Sequence, residues 1–168
     1  MIWKPYSLNE VISLLSGFQD WFLVGGESID IYLNRRTREH MDIDVGVLSC
    51  HAADLILILQ QQGLQVFSAT DGNLNEFKDS DLKNGKHNFW ISDDLDFKVQ
   101  VLVYSVINDN VVFHRNPDIK WNIDSFIVEK NGIRILNPLV TFAFKVTTKN
   151  VQDKDLVDIK NLMKSLNL

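Results

Sequence analysis

Two aspartates one residue apart, Asp42 and Asp44, and the glycine pair Gly25-Gly26 are the residues whose types and spacing could do chemistry in this 168-residue chain. Ile43 to Leu48 reads as a strand with Asp42 at its mouth, so the side chains of Asp42 and Asp44 leave on one face. Two carboxylates held side by side repel each other unless a cation lies between them. Magnesium answers that need, because it takes oxygen ligands and commonly bridges one or two carboxylates to substrate phosphates. Upstream, the apolar run Trp21 to Val24 reads as a buried strand that stops at Gly25-Gly26, and Ser28 to Leu33 has the pattern of a short helix. Glycines at a strand-to-helix bend let backbone N–H groups come close to a phosphate, and a helix N-terminus favours negative charge. A phosphate grip and a metal grip therefore fall on neighbouring elements.

The rest of the chain supplies the frame. Ser7 to Glu10 reads as a capping box that opens a helix with Val11, Ile12, Leu14, Leu15 and Phe18 on its apolar face. Ala52 to Gln62 is a second helix closed by Gly63. Leu64 to Phe67, Asn88 to Ile91, and the alternating run Phe97 to Val103 read as strands. Thr70 to Lys86 is polar and rich in Gly, Asn and Asp, which predicts a loop with room for one short strand. Asn108 to Asn110 suits a turn before Val111 to Phe113. Asn131-Gly132 between Phe126–Lys130 and Ile133–Leu136 is a strong hairpin signal. Pro138 opens a helix to about Thr147, and Asp153 to Leu166 forms the last one. With no repeat and no linker, the pattern predicts one domain over residues 1–168. Its class is α+β, with a mixed or antiparallel sheet flanked by helices.

Bulk properties narrow the function. Hydrophobic residues make up 45% and charged residues 23%, ordinary for a globular protein. The net charge of -5 argues against a general grip on nucleic acid, which needs a basic face. No run of 18 apolar residues predicts a membrane span. The single cysteine, Cys50, excludes an intrachain disulfide, and a cytoplasmic setting is expected.

The order strand, Gly-Gly, helix, then Asp-hydrophobic-Asp resembles the DNA polymerase beta-like nucleotidyltransferase superfamily. Within it, the stretch Gly25 to Asp44 is most similar to the aminoglycoside and lincosamide nucleotidyltransferase branch. The likeness rests on Gly25, Gly26, Ile29, Asp30, Thr37, Arg38, Glu39, His40, Asp42, Ile43 and Asp44. A weaker likeness continues at Phe113 to Pro117 and at Lys145 to Asp158.

The resemblance implies a magnesium-dependent transfer of a nucleoside monophosphate, AMP from ATP first of all. The acceptor would be a hydroxyl of an aminoglycoside- or lincosamide-like small molecule. Asp42 and Asp44 would be catalytic metal ligands, and Gly25 and Gly26 would cradle phosphates. The family often has Ser or Trp after the glycines; here Glu27 stands there, so the hydroxyl role passes to Ser28. A third carboxylate normally comes from a later strand, with Asp96 the candidate and Gln100 the alternative. Gln100 at that position would leave the general base missing. Arg38 and Lys145 are expected to contact phosphates, whereas Asp153, Asp155 and Asp158 suit the start of a helix through its dipole. His40 reads as a support for Asp42 or a base, and His87, His114 and Arg115 read as structural. A homodimer could complete an open acceptor site. The rival readings are a nucleotide-binding regulatory module that has lost turnover, such as an antitoxin partner, and AMP transfer to a macromolecule.

Overall fold

The computed structural model describes residues 1–70 and 72–168; Asp71, within the expected Thr70–Lys86 loop, lies outside the described residues. The first half runs α1 (Leu8–Leu14), β1 (Trp21–Val24), α2 (Gly25–Leu33), β2 (Asp44–Leu48), α3 (Ala52–Gln61), β3 (Gln65–Thr70), β4 (Asn73–Glu76) and α4 (Asp79–Lys83). It continues with β5 (Asn88–Ser92), β6 (Phe97–Tyr104), β7 (Val106–Ile107), β8 (Asn110–Val112) and β9 (Lys120–Asn122). The chain ends with α5 (Ile123–Phe126), β10 (Ile127–Lys130), β11 (Ile133–Leu136), α6 (Pro138–Val146) and α7 (Asp153–Leu166).

Local chemistry sets several of these boundaries. The Ser7 backbone N–H donates to Glu10 at 2.7 Å while the Ser7 hydroxyl accepts from the Glu10 N–H, the reciprocal capping box that starts α1. Asn131 (φ 53°) and Gly132 (φ 75°) take the left-handed pair that a two-residue hairpin needs, so β10 folds back on β11 in register from Ile127 opposite Leu136. Asn137 caps α6 through the Leu139 N–H, with Pro138 in the first turn.

Among the described residues the main sheet has the order β10-β11-β1-β2-β6-β5-β3-β4, with β1/β11 and β2/β6 parallel and the other pairs antiparallel. A second, three-stranded sheet follows the order β7-β8-β9. Leu23, Val45, Val47, Val99 and Val101 line one face of the main sheet and pack against α1 and α3 through Val11, Leu15, Leu55, Ile56 and Leu59. Phe22, Val24, Leu48 and Tyr104 line the opposite face and meet Val111, Phe126, Leu136 and Val140. The sheet is thus a septum between two cores.

Three expectations shift. The Thr70–Lys86 segment holds the strand β4 and the helix α4 rather than mostly loop. All four residues of β4 are exposed, so backbone pairing with β3 makes the strand and no apolar alternation announces it. The helix after the glycines starts at Gly25 itself, and β2 starts at Asp44, which leaves Asp42 just outside the strand.

Candidate functional site

β1 and β2 are antiparallel neighbours, with Val24 opposite Asp44. The chain leaves β1 directly into α2 at Gly25, whose φ of 66° lies in the left-handed region. A Cβ at Gly25 would overlap the Asp44 carboxylate. Gly25 is therefore required twice, by its backbone conformation and by the acid that fills the place of its side chain. The Asp44 Oδ1 atom is sealed from solvent and has no hydrogen-bond partner among the described residues. Burial first, and the Asp42 charge second, push the Asp44 carboxyl up to about 7, against the pull of Lys145, Lys154 and Arg38. Asp42 is partly open, with Lys154 Nζ 3.7 Å from its Oδ2.

A second glycine explains the next layer. A Cβ at Gly26 would run into Arg38 and His40, so the absent side chain lets the Arg38–His40 segment fold against the start of α2. Asp30 on α2 holds this segment. Its Oδ1 accepts from the Thr37 N–H (2.9 Å) and hydroxyl (2.5 Å), and its Oδ2 shares a 2.7 Å hydrogen bond with His40 Nε2. The Arg38 guanidinium makes a two-pronged contact with Asp158 of α7, Nε to Oδ1 at 3.0 Å and Nη2 to Oδ2 at 2.9 Å. Lys145 of α6 reaches the same Asp158 at 2.9 Å and Asp155 at 2.8 Å. Burial opposes a charge on Asp158, yet hydrogen bonds from Arg38 and Lys145 outweigh it and hold the carboxyl below its ordinary range. Lys145 is raised, because the same two aspartates overcome its burial.

The sequence-derived candidates fare differently. Gly25, Gly26, Asp42, Asp44, Arg38 and Lys145 come together around the β1–α2 bend. Ser28 does not offer its hydroxyl to this space: the residue is buried and donates to the Gly25 carbonyl at 2.8 Å. Asp96 stands apart from the paired acids. Its carboxylate pairs with Lys4 at 2.9 Å and lies 3.9 Å from Lys98. The partner of Asp44 on β6 is Gln100, four positions further on, or about 13 Å at 3.3 Å per residue. Gln100 donates to Asn88 Oδ1 at 2.9 Å. The place beside Asp44 where a third acid would stand thus holds an amide.

The Asp158 contact escaped the sequence reading. Asp158 lies beyond the first turn of α7 and is fully buried, so the helix dipole does not account for it. Its signal was a basic and an acidic residue 120 positions apart, which spacing alone does not pair. The pairing of two histidines read singly as structural escaped as well: the His87 and His114 rings lie 4.6 Å apart. Partial burial, then the neighbouring His87 and Arg115, pull His114 down to about 4.

Two groups could attract a metal ion. Glu27, Asp30 and His40 have ligand atoms within 4.8 Å of one another. Both Asp30 oxygens are already engaged, however, by Thr37 and His40. Asp42 and Asp44 instead present two like-charged carboxylates, one with a sealed, unpartnered oxygen, and that donor set fits a hard divalent cation.

A mixed sheet with helices on its faces, a glycine bend beside paired acids, and the β2/β6 register define the nucleotidyltransferase fold. Residues 7–162 match the family model of aminoglycoside-2''-adenylyltransferase, and the chain belongs to that family. Solved structures agree on the fold. ANT(2'')-Ia in complex with adenylyl-2''-tobramycin superimposes with a TM-score of 0.61 at 15% identity, covering 95% of this chain and 87% of that one. The lincosamide antibiotic adenylyltransferase LnuA, lincomycin-bound, gives 0.64 at 18% identity over 95% and 98%. The Megavirus polyadenylate synthase gives 0.59 at 12% identity over 94% of this chain and 31% of its own length. No curated protein sequence matches the chain significantly. Among the described residues, no helix is long and apolar enough to cross a membrane.

Proposed function

We propose that this chain is a magnesium-dependent nucleotidyltransferase that moves AMP from ATP to a hydroxyl of a small molecule, with aminoglycosides and lincosamides the first acceptors to assay. One observation carries the reading: the sealed, unpartnered oxygen of Asp44 beside Asp42, wedged under the Gly25 bend. Family membership supports it.

Asp42 and Asp44 would hold magnesium, whose positive charge offsets that on the phosphoryl oxygens. The Gly25-Gly26 backbone, with Lys145 close by, gives the triphosphate its side of the cleft. The acceptor oxygen bonds to the α-phosphorus as the bond to the bridging oxygen breaks, and pyrophosphate leaves with the electron pair. The hydroxyl proton passes to water, since the Gln100 amide is not a base. Arg38 and Lys145 hold the α6–α7 pair against this side through Asp158.

The test is incubation with labelled ATP, magnesium, tobramycin and lincomycin, following pyrophosphate release. The expected result is turnover that disappears in Asp44→Asn; turnover surviving in that variant removes the proposed metal site. Gln100 opposite Asp44 favours a second reading, a nucleotide-binding module with little or no turnover. Tight ATP binding without pyrophosphate release for any acceptor would select it.

A further inference from the structure

Gly25, Lys145 and Asp155 line one cavity of about 180 Å³ beside the glycine bend. A triphosphate cradled by the Gly25-Gly26 backbone would meet the Lys145 ammonium there, and it would meet a carboxylate as well. The ammonium is already engaged. Its Nζ donates to Asp155 Oδ1 at 2.8 Å and lies 2.9 Å from Asp158 Oδ2, so one positive charge is shared between two negative ones. A phosphate oxygen that reaches Lys145 must therefore compete with an acid of the chain itself.

The two aspartates are not equivalent. Asp158 is fully buried and takes no part in the cavity wall, and the Arg38 fork fastens it from another side at 3.0 and 2.9 Å. Asp155 stands on the cavity wall, in the first turn of α7. Its Oδ2 accepts from the Gln152 N–H at 3.1 Å, a bond at the start of its own helix that does not involve Lys145. Burial opposes a charge on Asp155, yet hydrogen bonds from Lys145 and the Gln152 N–H hold its carboxyl below the ordinary range. At neutral pH it is an anion. Oδ1 can leave Lys145 at the cost of one ion pair, because the helix N-terminus still favours the negative charge.

We infer that Asp155 is a built-in rival of the triphosphate: without nucleotide its Oδ1 holds the place on Lys145 that a phosphate oxygen takes on binding. Lys145 then turns from Oδ1 to the phosphate, Asp158 keeps its hold on the same ammonium, and Asp155 stays anchored by the Gln152 N–H. Part of the phosphate's attraction is spent on breaking the ion pair, so Asp155 sets the nucleotide affinity below what Lys145 alone would give. The inference rests on the nucleotidyltransferase reading for its ligand, but it is measurable without an acceptor and without turnover.

The experiment is calorimetric titration of the full chain with ATP and magnesium, without acceptor. Asp155→Asn keeps the shape and the acceptor for the Gln152 N–H and removes the charge, and is expected to bind ATP at least about fivefold tighter than the wild type. A gain in affinity is not what a damaged fold produces. Asp155→Ser is expected to repeat the gain, whereas Asp155→Glu, which keeps the charge, is expected to gain nothing. Asp153→Asn removes an exposed charge from the same turn of α7 and is expected to leave the affinity near that of the wild type. Equal or weaker binding by both Asp155→Asn and Asp155→Ser, beside measurable binding by the wild type, overturns the inference alone. An equal gain in Asp153→Asn also overturns it, because bulk charge would then suffice. ATP binding by neither the wild type nor any variant overturns the nucleotidyltransferase reading and the inference together.

Discussion

The two faces of the main sheet are built from the same strands and held by different forces. Toward α1 and α3, Leu23, Val45, Val47, Val99 and Val101 meet the helices with hydrocarbon alone, and the contact is non-directional burial. Toward α6 and α7 the apolar core stops short, and the helices are fastened to the Asp44 side by Arg38, Lys145, Asp155 and Asp158. The difference teaches where this protein can carry chemistry. A hydrocarbon layer tolerates no charge, so the fold is secured on one side and a set of mutually dependent charges is concentrated on the other.

The largest effect on this contrast is expected from Asp158→Ala, which leaves Arg38 and Lys145 without their shared partner. Loss of one member of a buried ionic group costs about 3–5 kcal/mol. Leu55→Ala, in the apolar layer, costs about 2–5 kcal/mol by cavity formation. Urea unfolding at pH 7 and well below pH 3.8 separates them: the Leu55 penalty stays constant, while the Asp158 penalty shrinks as acid protonates the carboxyl. An equal pH response in both variants would erase the distinction between the two faces.

Next in size is Gln100→Asp, which puts an acid in register with Asp44. A positioned base typically contributes on the order of 10²–10⁴ in rate, so pyrophosphate release with a productive acceptor is expected to rise by at least about tenfold. The same change adds a third like charge to the cleft and is expected to lower the melting temperature without magnesium. An unchanged rate would show that no base is missing.

The smallest effect is titration of the wild type. Asp158 and Asp155 are held below the ordinary carboxylate value of 3.8 in the folded chain, so they stay charged where the unfolded chain takes up protons. Their contribution is complete above 3.8 and fades as the pH falls through the lower folded values. Hydrogen exchange in acid is expected to speed up in α7 before α3. Simultaneous loss of protection would contradict that order.

How much of this was legible in the sequence follows the range of each interaction. The Ser7–Glu10 box, the Asn131-Gly132 turn and the bounds of α7 involve neighbours in the chain, and the sequence predicts all three. Alternation along β6 places Asp96, Lys98 and Gln100 on one face, but the sliding of one strand against another decides which of them meets Asp44. That register is set by the packing of the whole sheet. The short strands β7 and β9 exist because β8 lies between them, and the grip of α7 on Arg38 depends on tertiary closure.

The fit of Asp44 into the gap left by Gly25 has a last consequence, one of stiffness. A carboxylate that occupies the volume of another residue's side chain has little freedom to swing, so its geometry is fixed before any ion arrives. If Asp42 and Asp44 bind a cation, the entropic cost of organising the socket has already been met in folding. A wall set in advance favours whichever cation fits it without rearrangement.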